Sequence, residues 1–119
     1  MIKNVKNKVL VTGAAGFIGY HLSKLLTKNG YDVVGIDNIN DYYDQNLKYA
    51  RLEDLGIARD KIADNVSVKG DITFVKLDLQ DKENLMELFK REKFDFVVNL
   101  AAQAGVRYSI ENPQTYIDN

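Results

Sequence analysis

The sequence KVLVTGAAGFIGYHL, residues 8–22, runs from three consecutive apolar residues into Gly13, Gly16 and Gly19, spaced three apart. Glycine in a helix costs about 1 kcal/mol relative to alanine, so the triplet needs a purpose in the turn itself. Val9, Leu10 and Val11 read as a short buried strand bounded by polar residues and glycine. From Phe17 on, Phe17, Ile18, Leu22, Leu25 and Leu26 recur at helical spacing, and Asn29–Gly30 supplies the stop. A strand, a glycine turn and a helix N-terminus in that order form an anion site, because free N–H groups and the positive end of the helix dipole converge there. In this reading Gly13 permits the tight turn, Gly16 lets a pyrophosphate approach the backbone, and Gly19 lets the helix pack close to the sheet.

The rest of the chain repeats the alternation. DVVGID (32–37) reads as a second strand, and DQNLKYARLEDLG (44–56) as a helix with Leu47, Arg51, Leu52 and Leu55 on one face. Asp44 is its expected N-cap and Gly56 its stop. Residues 57–71 read as a charged surface connection with a short strand at Val66 to Val68. ITFVKL (72–77) is a third main strand. Asp81 caps a helix that sets Leu85, Leu88 and Phe89 on one face, and FDFVVNLAA (94–102) gives a fourth strand ending near Leu100. ENPQTYIDN (111–119) opens as a helix, with Asn112 as cap and Pro113 at the first helical position. Strands alternating with helices predict an α/β fold, a Rossmann-type doubly wound parallel sheet with about four main strands. The expected strand order 3-2-1-4 would leave the fourth strand as an uncovered edge, so self-association or a homodimer is expected.

With 119 residues the chain holds one domain, and a 45% hydrophobic fraction is enough for a packed core. A net charge of -1 with interspersed signs excludes the basic stripe of a nucleic-acid binder. The absence of cysteine excludes disulfides, thiolate metal sites and thiol catalysis. No stretch approaches a membrane span, and the apolar run at Val9–Val11 is too short for a signal peptide, so a cytoplasmic protein is expected. His21, the sole histidine, has no evident metal partners, and no metal site is expected.

Asp37 closes the second strand 18 residues after Gly19, where a carboxylate can accept hydrogen bonds from an adenosine ribose. Its charge would repel a 2′-phosphate, and no Arg or Lys follows until Lys48, so NAD is favoured over NADP. Asp78 and Leu79 follow the third strand, placed either for an adenine amino group and ring or as a turn aspartate and core leucine. Leu100, Ala101 and Ala102 follow the fourth strand, and their small size suits either a ribose or nicotinamide against the backbone or tight helix packing.

Together these residues resemble the extended short-chain dehydrogenase/reductase family, within it the NAD-dependent nucleotide-sugar epimerases and dehydratases. VTGAAGFIG (11–19) is similar to that family's T-G-x-x-G-x-x-G loop. GIDNINDYYDQNLKYARL (35–52) and NLAAQAGVRYSIENPQTYIDN (99–119) look like the corresponding segments of UDP-glucuronate 4-epimerases. The resemblance implies that Gly13, Gly16, Phe17, Ile18 and Gly19 line the pyrophosphate, that Asp37 and Asn38 hold the adenosine ribose, and that Asp78 and Leu79 meet the adenine. It sets Leu100, Ala101, Ala102 and Gln103 under the nicotinamide half and makes Asn119 a cofactor contact. Arg107 falls near the sugar side, where its charge suits a uronate or diphosphate, although a structural arginine fits as well. It further implies a nucleotide-sugar substrate epimerised at C4 through a 4-keto intermediate, with NAD regenerated and a Tyr-x-x-x-Lys pair plus Ser or Thr handling the proton.

The sole Tyr-x-x-x-Lys match, Tyr20 to Lys24, lies on the helix behind the glycine loop, whereas the family's pair comes from a later helix. No catalytic residue is therefore assigned. Residues 1–119 are expected to be the N-terminal portion of an NAD-binding domain, ending inside a helix, without the substrate domain and inactive alone. A non-catalytic NAD-binding module and a methyltransferase binding S-adenosylmethionine are the competing classes. The third glycine and the two epimerase-like segments count against the methyltransferase.

Overall fold

The computed structural model describes residues 7–40, 45–100 and the backbone of 109–111. Its elements are β1 (Lys8–Thr12), α1 (Phe17–Lys28), β2 (Asp32–Asp37), α2 (Gln45–Asp54), a single 3-10 turn (Arg59–Lys61), β3 (Ser67–Lys69), β4 (Thr73–Lys76), α3 (Lys82–Glu92), β5 (Phe96–Asn99) and β6 (Ser109–Glu111). One sheet runs β3-β4-β2-β1-β5-β6. The inner four strands are parallel, with Leu10 opposite both Val34 and Val97, and Gly35 opposite Phe74. They correspond to the expected order 3-2-1-4, and the fold is Rossmann-type.

Both outer strands are antiparallel. β3 pairs Val68 with Phe74, one residue later than the short strand read at 66–68. β6 pairs with β5 through Val98 and Ile110, which corrects the expectation of an uncovered fourth strand. A polar three-residue strand carries almost no periodic signal, so its pairing with β5 was invisible locally. With that edge occupied, the reason given for self-association falls away. The helix expected from Asn112 and Pro113 lies outside the described residues, as does Asp44.

The sheet is buried on both faces. Val9, Val11, Val33 and Phe74 face one layer with Leu52, Leu55 and Ile57, and Leu26 of α1 packs onto it. Leu10, Val34, Ile36, Val75 and Val97 face the other, against Leu88 and Phe89 of α3. Ile57 and Val68 are buried, so part of the segment read as surface connection belongs to the core. Asp81 caps α3 as expected, its side chain accepting the Asn84 N–H, and Lys93 ends that helix in the left-handed conformation. Phe17 (65% exposed), Ile18 (44%) and Leu25 (56%) stand outside the core, although their spacing matches the buried stripe. Gly19 and Ser23 take the inward positions instead, and at Gly19 a side chain would meet the backbone of Gly13 and Ala14.

Candidate functional site

The parallel register brings four strand ends to one side. Thr12 is opposite both Ile36 and Asn99, and Asp37 is opposite Lys76. Gly13, Asp37, Asp78 and Leu100 therefore stand along one carboxyl edge, where open α/β sheets bind ligands. The ends of β1 and β5 are fastened by Thr12, whose Oγ1 donates to Asn99 Oδ1 at 2.6 Å and accepts the Leu100 N–H at 2.9 Å.

The glycine loop folds back on itself. Gly13 has φ +71°, in the left-handed region that suits glycine. The Gly16 N–H donates to the Gly13 carbonyl at 3.1 Å. A Cβ on Gly19 would lie 2.2 Å from Gly13 O, so the third glycine packs on the first rather than directly on a strand. Gly16 is the N-cap of α1 and gives no side-chain cap, and the first turn contains no acidic residue. The Phe17, Ile18 and Gly19 N–H groups have no acceptor within the helix, as at any helix start. The donor set and the absence of a competing carboxylate in that turn fit an anion such as a pyrophosphate.

Asp37 sits beside this loop and is buried. Its Oδ2 accepts the Ala15 N–H at 3.1 Å, and its Oδ1 accepts the Ile39 N–H at 2.7 Å and Lys48 Nζ at 3.1 Å. Ile39 follows with φ +51°, a strained conformation for a β-branched residue. The Asp37 carboxylate thus holds the loop, the turn after β2 and α2 together. Lys48 alters the electrostatic argument drawn from the sequence, since a basic residue stands at hydrogen-bond distance from Asp37. Its charge offsets the carboxylate that was to repel a 2′-phosphate. Arg51, one helical turn on, donates from Nη1 to the Ala15 carbonyl at 3.1 Å and lies 5.9 Å from the Phe17 ring centroid. Sequence reasoning placed Arg51 on an otherwise apolar face and did not assign Lys48 to the site. Their i, i+3 spacing, which puts both on one side of α2, was the available signal.

Asp78 is exposed, its Oδ1 accepting the Gln80 N–H at 2.9 Å and its Oδ2 the Asn38 side-chain amide at 3.4 Å. Asn38 Oδ1 accepts the Asn40 N–H at 3.1 Å, so the ends of β2 and β4 are linked through polar side chains. Leu79 is half-buried against the α3-side core. Leu100 is buried at the end of β5. Ala101, Ala102, Gln103, Arg107 and Asn119 lie outside the described residues.

Tyr20 and Lys24 do not join the crevice. Lys24 Nζ donates to Asp54 at 2.8 Å and Tyr20 Oη donates to the same carboxylate, tying α1 to the last residue of α2 at the surface. The hydrogen bond from Lys24 holds Asp54 below the usual carboxylate range, and the one to Asp54 raises Lys24. His21 is exposed against the Phe17 and Tyr20 rings. Among the described residues, no cluster of His, Cys, Asp and Glu could hold a metal, and no helix is long and apolar enough to cross a membrane.

A parallel doubly wound sheet with a glycine loop at the central strand and a carboxylate at the next strand end defines a dinucleotide-binding class of domain. A family model described as GDP-mannose 4,6 dehydratase matches residues 10–119, and the chain belongs to that family. The chain is 51% identical over 112 residues to protein CapI of Staphylococcus aureus, covering 94% of this chain and 30% of CapI. It is 48% identical over 109 residues to UDP-glucuronate 4-epimerase 4 of Arabidopsis thaliana, covering 92% of this chain and 22% of that protein. The chain therefore spans less than a third of the length of these relatives. Among solved structures, it is similar to the UDP-Glc/GlcNAc 4-epimerase of Campylobacter jejuni, with TM-score 0.62, 29% identity, and coverage of 82% of this chain and 25% of the other. It is also similar to a Thermus thermophilus UDP-glucose 4-epimerase complexed with NAD, with TM-score 0.57, 30% identity, and coverage of 83% and 25%.

Proposed function

We propose that this chain is the NAD-binding front part of a nucleotide-sugar 4-epimerase that interconverts UDP-glucuronate and UDP-galacturonate. The observation that carries the cofactor reading is the buried Asp37 carboxylate bound to the Ala15 N–H, which joins a ribose-type acceptor to a phosphate-type loop. The N–H groups of Phe17, Ile18 and Gly19 would bind the pyrophosphate, with Gly13 and Gly16 shaping its approach. Asp37 and Asn38 would hold the adenosine ribose, and Asp78 and Leu79 would orient the adenine. Leu100, Ala101, Ala102, Gln103 and Asn119 would line the nicotinamide half, with Arg107 toward the sugar.

The chemistry that bound NAD would supply is reversible hydride exchange at sugar C4. This chain's residues bind and orient the dinucleotide for that exchange. The residues that move the C4 hydroxyl proton are assigned to polypeptide beyond this sequence. The relatives' greater length supports that division, and the 48% identity to a UDP-glucuronate 4-epimerase supports the substrate.

Two measurements test the reading. Calorimetry on the 119-residue chain should show NAD binding, and no binding would refute the cofactor assignment. NMR should show conversion of UDP-glucuronate to UDP-galacturonate by the full-length gene product and none by this chain. A missing general acid/base typically costs about 10²–10⁴-fold, and lost substrate positioning costs more. Turnover by the chain alone would return Tyr20 and Lys24 to consideration.

A further inference from the structure

Arg51 crosses from α2 to the glycine loop, 36 residues away in sequence, and donates to a backbone carbonyl rather than to a carboxylate. That carbonyl belongs to Ala15, whose N–H is already bound by Asp37. Both polar groups of one loop residue are therefore held by charged side chains from outside the loop. Asp37 is itself tied to Lys48, one turn before Arg51 on the same helix. The peptide between Ala15 and Gly16 is fixed at both ends, because its carbonyl meets Arg51 and its N–H meets Gly13 O at 3.1 Å. Gly16 is also the N-cap of α1, and this peptide immediately precedes the first free N–H groups of the helix.

We propose that Arg51 is a positioning residue for the phosphate loop. By holding the Ala15 carbonyl it sets the plane of the Ala15–Gly16 peptide, and through it the direction of the Phe17 and Ile18 N–H groups. Lys48 and Arg51 make α2 a common support, with Lys48 bracing the Asp37 end and Arg51 bracing the phosphate end. The two halves of the adenosine diphosphate site are then formed together, before any ligand arrives. Leu52, buried beside them, fixes the helix that carries both cations. This role rests on the dinucleotide reading for its functional consequence, but its structural core concerns the loop alone.

The experiment compares the 119-residue chain with its Arg51→Met and Arg51→Lys variants. Arg51→Met keeps an aliphatic stem near the Phe17 ring and removes the donor. In the ligand-free protein, amide hydrogen exchange at Gly16 should rise roughly tenfold in Arg51→Met, the loss expected for a hydrogen bond to a charged group. Exchange at Leu10 and Val11, inside β1, should not change. Arg51→Lys retains a cationic donor and should fall between the two. In calorimetry NAD and ADP should bind about tenfold more weakly to Arg51→Met, while adenosine, which lacks phosphates, should change less than about twofold.

Unchanged Gly16 exchange in Arg51→Met would overturn the proposal, since simple loss of charge attraction weakens phosphate ligands without loosening the free loop. An equal loss for adenosine and ADP would overturn it as well. Failure of the parent chain to bind NAD would refute the cofactor reading and leave the exchange result to decide the role of Arg51. If Arg51→Met does not fold, the intermediate exchange of Arg51→Lys provides the same test.

Discussion

Lys48 Nζ lies 3.1 Å from Asp37 Oδ1, with the two side chains 12% and 4% exposed. The pair is not symmetric in what it supports. Asp37 also satisfies the Ala15 and Ile39 N–H groups, whereas no other side-chain hydrogen bond of Lys48 Nζ is seen among the described residues. Asp37→Ala leaves a buried cation and two amides without their acceptor, and should destabilise the chain by about 3–5 kcal/mol. Lys48→Met leaves Asp37 with both N–H donors and should cost less. Urea unfolding of the two variants checks the order, and an equal or larger loss for Lys48→Met would contradict it.

Two glycine substitutions should separate steric from conformational cost. A Cβ at Gly19 would meet Gly13 O at 2.2 Å and Gly13 C at 2.9 Å, both backbone atoms that cannot rotate away. Gly19→Ala should cost about 1–3 kcal/mol and weaken ADP binding, because the loop must move. Gly30 has φ +88° with nothing within 4 Å of its Cβ position. Gly30→Ala should cost about 1–2 kcal/mol from backbone strain alone and leave ADP binding intact. Paired unfolding and calorimetry read both effects.

The acid limb of the stability curve should involve Glu92. Burial pushes its carboxyl up, but the Lys8 ammonium 2.9 Å away, together with Arg91, outweighs this and holds it below its ordinary value. A carboxyl depressed in the folded state adds stability above its unfolded pKa of 4.5 and loses it as pH falls through the folded value. Glu92→Gln should flatten the fall in stability below about pH 5 and lower stability near neutrality. Unfolding curves between about pH 3 and pH 7 measure this, and parallel limbs for variant and parent would refute it.

Phe74 is fully buried in β4 and packs on the side of the sheet carrying Leu52 and Ile57. Phe74→Ala should destabilise by about 3–5 kcal/mol. Met86→Ala on α3, where the side chain is exposed, should lie within about 0.5 kcal/mol of the parent. Chemical denaturation distinguishes these outcomes.

The periodic parts of the sequence were legible. Val9–Val11 running into a glycine turn, the α1 stop at Asn29–Gly30 and the Asp81 cap are local signals, and the structure follows each. The order of the four parallel strands followed from the strand order of a doubly wound Rossmann sheet, and the structure has it. Lys48 and Arg51 were not placed, because their partners at Asp37 and Ala15 are determined by how α2 settles on the sheet. Helical spacing revealed α1, but the exposure of Ile18 and Leu25 was not legible, because spacing marks a face without saying whether a neighbour covers it. At the site, Asp37 was visible as a strand-end carboxylate. Its hold on Ala15 and Ile39 was not, since both are backbone contacts that no side-chain pattern encodes.

Thr12 and Asn99 meet at a sequence separation of 87, and their contact seats β1 in the middle of the sheet. An opening strand that ends up central cannot be finished early. Its pairing with β2 closes a short loop, but its other edge stays open until residues 96–99 arrive. This high contact order favours slow, cooperative assembly, in which the glycine loop gains its final shape only after the last parallel strand docks. Cleavage between α3 and β5 would then remove far more than one edge, because it would expose the strand from which the loop springs.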